Sequence, residues 1–190
     1  HPRFLDFNND AKVIQVAPKV LLYAASNPQN DIFTLNIEYG KGTLESKLLT
    51  PMATYLNLLG TDSSSFDQFR AKLQNLGSTL SFAAEQNKFS VEISGFDKNF
   101  ESTLELVADF FNHAKAEPKK MKQVVDEAKL RVKAIKRSPD ELANALLDKV
   151  RYGDKSEYLN RLSVPEIKKL KGQDLISEFN SIQKVECNIH

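Results

Sequence analysis

What most limits the fold of this chain is a two-residue alternation of apolar and polar side chains that recurs along it. From Asp31 to Tyr39, Phe33, Leu35, Ile37 and Tyr39 fall on one side, and Thr34, Asn36 and Glu38 on the other. Successive strand side chains point to opposite faces, so this pattern predicts a half-buried β-strand. It returns twice more, with Leu80, Phe82 and Ala84 sharing a face and then Phe89, Val91 and Ile93, separated by Glu85 to Lys88. Two runs so close together predict a hairpin. Further upstream, Val13–Ala17 and Val20–Ala25 flank Pro18-Lys19, a strand pair around a tight turn that Asn27-Pro28 closes off. The segment from Val185 to His190 alternates like one more strand entering a sheet.

Elsewhere the period lengthens to that of a helix. Thr50 is an expected N-cap, with Pro51 at the first helical position and the helix running to about Leu59. Ser65 and Gln68 form a capping box before a second helix whose apolar side is Phe66, Phe69, Leu73 and Leu76, and Gly77 is its stop. Asp97 is expected to cap a long helix with Phe100, Leu104, Ala108 and Phe111 inward; Pro118 opens another with Met121, Val125, Ala128, Val132 and Ile135 inward. Ser138-Pro139-Asp140-Glu141 starts a helix to about Val150, and Ser163 to Glu166 repeats the capping box. Arg151 to Leu162 reads as a loop or broken turn, and a last helix is expected over about Gln173 to Gln183.

Strands and helices thus cluster instead of alternating, which predicts an α+β fold: a mostly antiparallel sheet of six strands, covered on one face by helices. The opposite face is polar, formed by Thr34, Asn36, Glu38, Thr79, Ser81, Ser90, Glu92 and Ser94. It faces either solvent or a wet cavity.

A chain of 190 residues is long enough for one substantial core, so a single domain is expected. With 26 basic against 25 acidic side chains there is no extended positive field to draw in phosphates, which argues against a nucleic-acid partner. No stretch approaches the roughly 18 consecutive apolar residues of a membrane span. The start, His1-Pro2-Arg3-Phe4, has neither Met nor a signal-peptide core. The chain is expected to be a piece of a larger multidomain protein, its last strand truncated.

Most catalytic chemistries can be set aside. The three histidines, His1, His113 and His190, share no helical face, so H-E-x-x-H and its inverse cannot be written. His113 lies near the end of the long helix, where an imidazolium suits the helix dipole. Cys187 is the single cysteine; it cannot form an internal disulfide, and a buried inert thiol is expected over a nucleophile. No G-x-S-x-G, Walker loop or G-x-G-x-x-G occurs, and Asp140-Glu141 suits a capping role. The basic run Lys115 to Arg137 reads as a solvated helix face.

One segment carries a family resemblance. Thr50-Pro51-Met52-Ala53-Thr54-Tyr55-Leu56-Asn57-Leu58-Leu59-Gly60-Thr61 resembles the helix bearing the inverted zinc motif H-x-x-E-H, followed by an apolar run and Gly-Thr, in the pitrilysin and insulin-degrading enzyme family of zinc metallopeptidases. Read back from Gly60-Thr61, the histidines of the motif fall on Pro51 and Tyr55 and its glutamate on Thr54. Phe69 to Phe82 with Lys72, Leu73 and Leu76-Gly77, Val91 to Phe96, and Tyr152-Gly153 followed by Leu162-Ser163 are similar to the same family. Pro51 has no donor atom, Tyr55 is a poor zinc ligand at neutral pH, and Thr54 cannot act as the carboxylate base. In the family a further glutamate downstream completes the zinc site. Glu127 lies in that helical region, with no histidines to complete.

The resemblance implies a division of labour. Such peptidases pair similarly folded halves around a chamber; one half holds zinc, and the other has lost the motif and forms a wall. This chain resembles the first domain of the inactive half in long bacterial members. No cofactor is then expected here, with zinc in the catalytic half of the parent. The expected partners are a catalytic peptidase domain, of the same chain or a partner subunit, and unfolded peptides, in a setting that for bacterial relatives is often periplasmic. Thr34, Asn36, Glu38, Ser90, Glu92 and Ser94 would then face the chamber, and exposed strand edges could grip extended peptides through the main chain. Two other readings stand beside this one: a scaffold or interaction domain with no peptidase partner, like the motif-less core subunits of respiratory complexes, and an enzyme of unrelated chemistry on the polar face.

Overall fold

The computed structural model describes residues 11–190; the start noted in the sequence, His1-Pro2-Arg3-Phe4, lies outside them. Among the described residues six strands form one sheet: β1 (Lys12–Ala17), β2 (Val20–Ala24), β3 (Ile32–Tyr39), β4 (Thr79–Ala84), β5 (Phe89–Phe96) and β6 (Cys187–Ile189). Their order across it is β1-β2-β6-β3-β5-β4. Every pairing is antiparallel except that of β2 with β6. The alternation in β3 and β5 sets their register, with Leu35 opposite Ile93 and Ile37 opposite Val91. A shift by one residue would send every one of these apolar side chains to the polar face.

Eight helices follow among the described residues: α1 (Leu49–Leu56), α2 (Phe66–Asn75), α3 (Phe100–His113), α4 (Met121–Arg137), α5 (Pro139–Tyr152), α6 (Glu157–Asn160), α7 (Val164–Ile167) and α8 (Gly172–Ile182). The apolar sheet face and the helices enclose one core, in which Leu80, Phe82, Phe89, Val91 and Ile93 meet Leu49, Met52, Phe69, Val107 and Phe179. The fold is α+β, as the clustering of strands and helices requires. Phe82 is central to its aromatic part, with ring centroids 5.3 Å from Phe110 and 5.7 Å from Phe179, the latter edge-on. Edge-to-face and offset pairs of this kind add to the burial of the rings.

The local signals behave as expected at Ser65, whose hydroxyl accepts from the Gln68 N–H while Gln68 Oε1 accepts from the Ser65 N–H, and at Ser138, whose hydroxyl accepts from the Glu141 N–H. Several expectations are corrected. Thr50 is not an N-cap: α1 already starts at Leu49, with Leu48 before it, and it stops at Leu56. Burial of Leu49 draws an extra residue into the helix, and Pro51 is tolerated within the first turn because N–H groups there have no partner in the helix. Asp97 does not cap α3 directly. It opens a 3-10 turn, Asp97–Asn99, and its N–H bonds the Asp31 carbonyl at 2.9 Å.

The inward stripe of α3 is also rotated. Thr103, Val107 and Phe110 are buried, whereas Ala108 is exposed and Phe100 lies partly outside, edge-on to Phe33. The cause is a buried polar pair: the Thr103 hydroxyl meets the Ser78 hydroxyl at 2.6 Å and donates to the Asn99 carbonyl at 2.8 Å. Arg151 to Leu162, expected as a loop or broken turn, is more regular than that and holds the end of α5, a 3-10 turn and α6.

Replacing Phe82 with Ala should cost about 3–5 kcal/mol, because the cavity is lined by rings that cannot collapse into it. A urea midpoint shifted by much less would show that the cluster repacks.

Candidate functional site

The motif-like segment folds as α1, and its side chains part company. Pro51 and Thr54 line a shallow cleft with Val124, Glu127, Arg131 and Ile167, residues of α4 and α7. In that cleft Thr54 Oγ1 donates to Glu127 Oε1 at 3.1 Å, and Arg131 Nη2 donates to the same oxygen at 2.9 Å. The Glu127–Arg131 pair spans one helical turn and is about half exposed, so it adds little to stability. The carboxylate is engaged by a hydroxyl and a guanidinium, neither of which is among the side chains that usually hold zinc. Among the described residues no group of three or more His, Cys, Asp or Glu side chains could do so.

Tyr55 turns the other way. It is fully buried, and its hydroxyl accepts a 2.8 Å hydrogen bond from the Glu117 N–H. Burial pushes its phenol above the ordinary value; the Glu117 N–H works against that rise and the nearby Glu117 charge adds to it. The ring also fixes a residue far along the chain: a Cβ at Gly172 would stand 2.0 Å from the Tyr55 oxygen. Only glycine lets the start of α8 come this close.

A larger cleft of about 570 Å³ adjoins the first. Lys47, Arg131, Arg151, Arg161, Tyr152 and Tyr158 contribute to its lining, with Glu141 and Asp148 as its acids. The Arg161 guanidinium sits 4.1 Å over the Tyr158 ring. These cations come from four separate segments, so no run in the sequence announces them. Together they suit an anionic group on a ligand.

On the polar sheet face, Thr34 pairs with Ser94, Asn36 with Glu92, and Glu38 with Ser90 across β3 and β5. The six positions are therefore brought together, Thr34 and Glu92 exposed and the others half-buried. Glu38 accepts from Lys88 Nζ at 2.6 Å, and His190 Nε2 lies 3.8 Å from its other oxygen. The Glu38 hydrogen bond holds the Lys88 ammonium above its usual range. His190 also stacks on Tyr23 at 5.0 Å. His113, at the end of α3, bonds Asp109 at 2.9 Å. Cys187 is buried, and burial raises its thiol pKa. No helix among the described residues is long and apolar enough to cross a membrane.

Residues 52–162 match the insulinase family, peptidase family M16, and the chain belongs to that family. No curated protein matches the sequence. Among solved structures, the fold is similar to the peptidase M16 inactive domain from Pseudomonas fluorescens, with TM-score 0.79 and 14% identity over 95% of this chain and 45% of that one. It is similar as well to the periplasmic protease PqqL from Escherichia coli, with TM-score 0.78 and 12% identity over 97% of this chain and 21% of that one. The ferredoxin protease FusC, solved with Arabidopsis ferredoxin, gives TM-score 0.72 and 13% identity over 100% of this chain and 23% of that one. The chain thus spans between about a fifth and a half of these three chains.

Two measurements check the site. Gly172→Ala should be strongly destabilising alone, and Tyr55→Phe, which leaves the Glu117 N–H without its acceptor, should cost about 1–3 kcal/mol. Combined, they should cost less than the sum, because removing the hydroxyl makes room for the new methyl; additive costs in urea melts would place the strain elsewhere. A thiol reagent at neutral pH should modify Cys187 at least about a hundredfold more slowly in the folded than in the denatured chain.

Proposed function

We propose that this chain is a non-catalytic domain of a zinc-dependent metalloendopeptidase, forming part of a peptide-binding chamber while another domain or subunit carries out hydrolysis. The observation that carries this reading is Tyr55, at the position that the resemblance gives to a zinc-binding histidine. Its hydroxyl is bound to the Glu117 main chain inside the core, and Thr54, in place of the motif glutamate, is hydrogen-bonded to Glu127. A histidine pair and a catalytic carboxylate are what the water-activating chemistry of such a site needs. This helix supplies neither. Zinc would then belong to the catalytic half of the parent, and residues 1–190 would be one non-catalytic domain within it.

The polar face of β3 and β5, with Thr34, Asn36, Glu38, Ser90, Glu92 and Ser94, would contribute hydrogen-bonding groups to the chamber wall. The arginine-lined cleft would add a place for acidic groups of an unfolded substrate. The share of each similar structure that this fold covers is in keeping with one unit among several. One of those proteins was solved with a protein partner, ferredoxin, which is in keeping with a role in holding polypeptide.

A second reading, a scaffold or interaction domain with no peptidase partner, draws on α5, where Leu142, Leu146 and Val150 lie at one-turn intervals and are all exposed. A stripe of this kind needs covering, and any protein partner would serve.

The purified chain, incubated with equimolar zinc and desalted, should retain far less than one zinc by elemental analysis and cleave no long unstructured peptide. Stoichiometric zinc, or chelator-sensitive cleavage, would overturn the non-catalytic reading. Added to a catalytic half lacking this domain, it should restore turnover of long peptides. If turnover is unchanged, the scaffold reading is favoured.

A further inference from the structure

A helix packed on a domain ordinarily turns its apolar side inward and its charged side to solvent. α5 does the reverse. Its polar side chains Glu141, Asn144, Asp148 and Arg151 line the larger cleft, toward the body of the domain. Leu142, Leu146, Leu147 and Val150 are 50, 61, 53 and 83% exposed, and none of the 14 residues of α5 is buried. The helix is nonetheless well made at its ends, with Ser138 as cap, Pro139 at its start, acids in the first turn and basic residues in the last. The outward stripe is therefore held in register by a regular backbone.

That stripe matches its own reverse. Leu142 and Val150 lie four residues to either side of Leu146, and Asp140 and Arg151 lie near the two ends, about three helical turns apart and so on one flank. We propose that two copies of this chain associate through α5 as an antiparallel helix pair, with the twofold axis at Leu146. Leu146 then meets Leu146, Leu142 meets Val150 on both sides of the axis, and Asp140 of each copy comes beside Arg151 of the other. A closed twofold contact requires such self-complementarity, and a foreign partner does not. The parallel arrangement would set Asp140 against Asp140 and lay the two helix dipoles side by side in the same sense, both unfavourable. A helix pair about 21 Å long covers less than the roughly 800 Å² per partner of a standard interface, so the dimer is weak, with Kd on the order of 10–100 µM. The inference concerns assembly of the chain and stands whether or not the domain serves a peptidase.

Sedimentation velocity of the full chain at low salt, from about 5 to about 500 µM, tests the pairing across the expected range of Kd. The mass should rise from the 21.4 kDa of one chain toward twice that value. Leu146→Glu puts two carboxylates on the axis and should weaken association by about a hundredfold. Its thermal midpoint should stay near that of the unaltered chain, because the side chain is exposed; if that variant does not fold, Leu146→Ser tests the same position. Asp140→Lys and Arg151→Glu, each alone, bring like charges together at both ends and should weaken association about tenfold. Mixed in equal amounts, these two variants bring opposite charges together at both ends and should associate about as tightly as the unaltered chain. Both reversals oppose the helix dipole, so circular dichroism checks that α5 is retained. A chain that stays monomeric throughout, a Leu146→Glu variant that associates as well as the unaltered chain, or a mixture no tighter than its two components would each overturn the inference and leave the stripe to a different partner.

Discussion

The contact on which the arrangement around α1 depends is that of the Tyr55 hydroxyl with the Glu117 N–H, closed in by Gly172. Three distant stretches meet there: the helix with the motif-like positions, the approach to α4, and the start of α8. A buried phenol joins them by one hydrogen bond and by close packing, and its oxygen is taken up by the Glu117 N–H.

Much of the fold was legible because its signals are local. The alternation in β3 and β5 and the capping box at Ser65 each act within a few residues, and the structure keeps them. What sequence missed depends on distant partners. Nothing near Thr103 says that its hydroxyl will meet Ser78 and turn α3, and nothing near Thr50 says that Leu49 will be pulled into the core. The Arg151 to Leu162 stretch lacks a period because its turns are too short to show one.

The candidate site divides in the same way. Pro51, Thr54 and Tyr55 could be picked out only through the resemblance, yet the Glu127–Arg131 pairing follows from their spacing along α4. The meeting of Thr54 with Glu127 could not be read from spacing, since it joins two helices. Neither could the basic cleft, whose cations are scattered along the chain.

The place of β6 has a consequence for how the molecule is made. This strand, read last, lies between β2 and β3, pairing Val20 with Cys187 on one side and Tyr39 with Cys187 on the other. Until it arrives, the β1–β2 hairpin has no link to the rest of the sheet, however early it leaves the ribosome. Sheet assembly therefore waits until Cys187–Ile189 has been made, and a nascent chain stalled before Cys187 would hold two unjoined sheet fragments with bare edges, the kind of species that chaperones are built to shield.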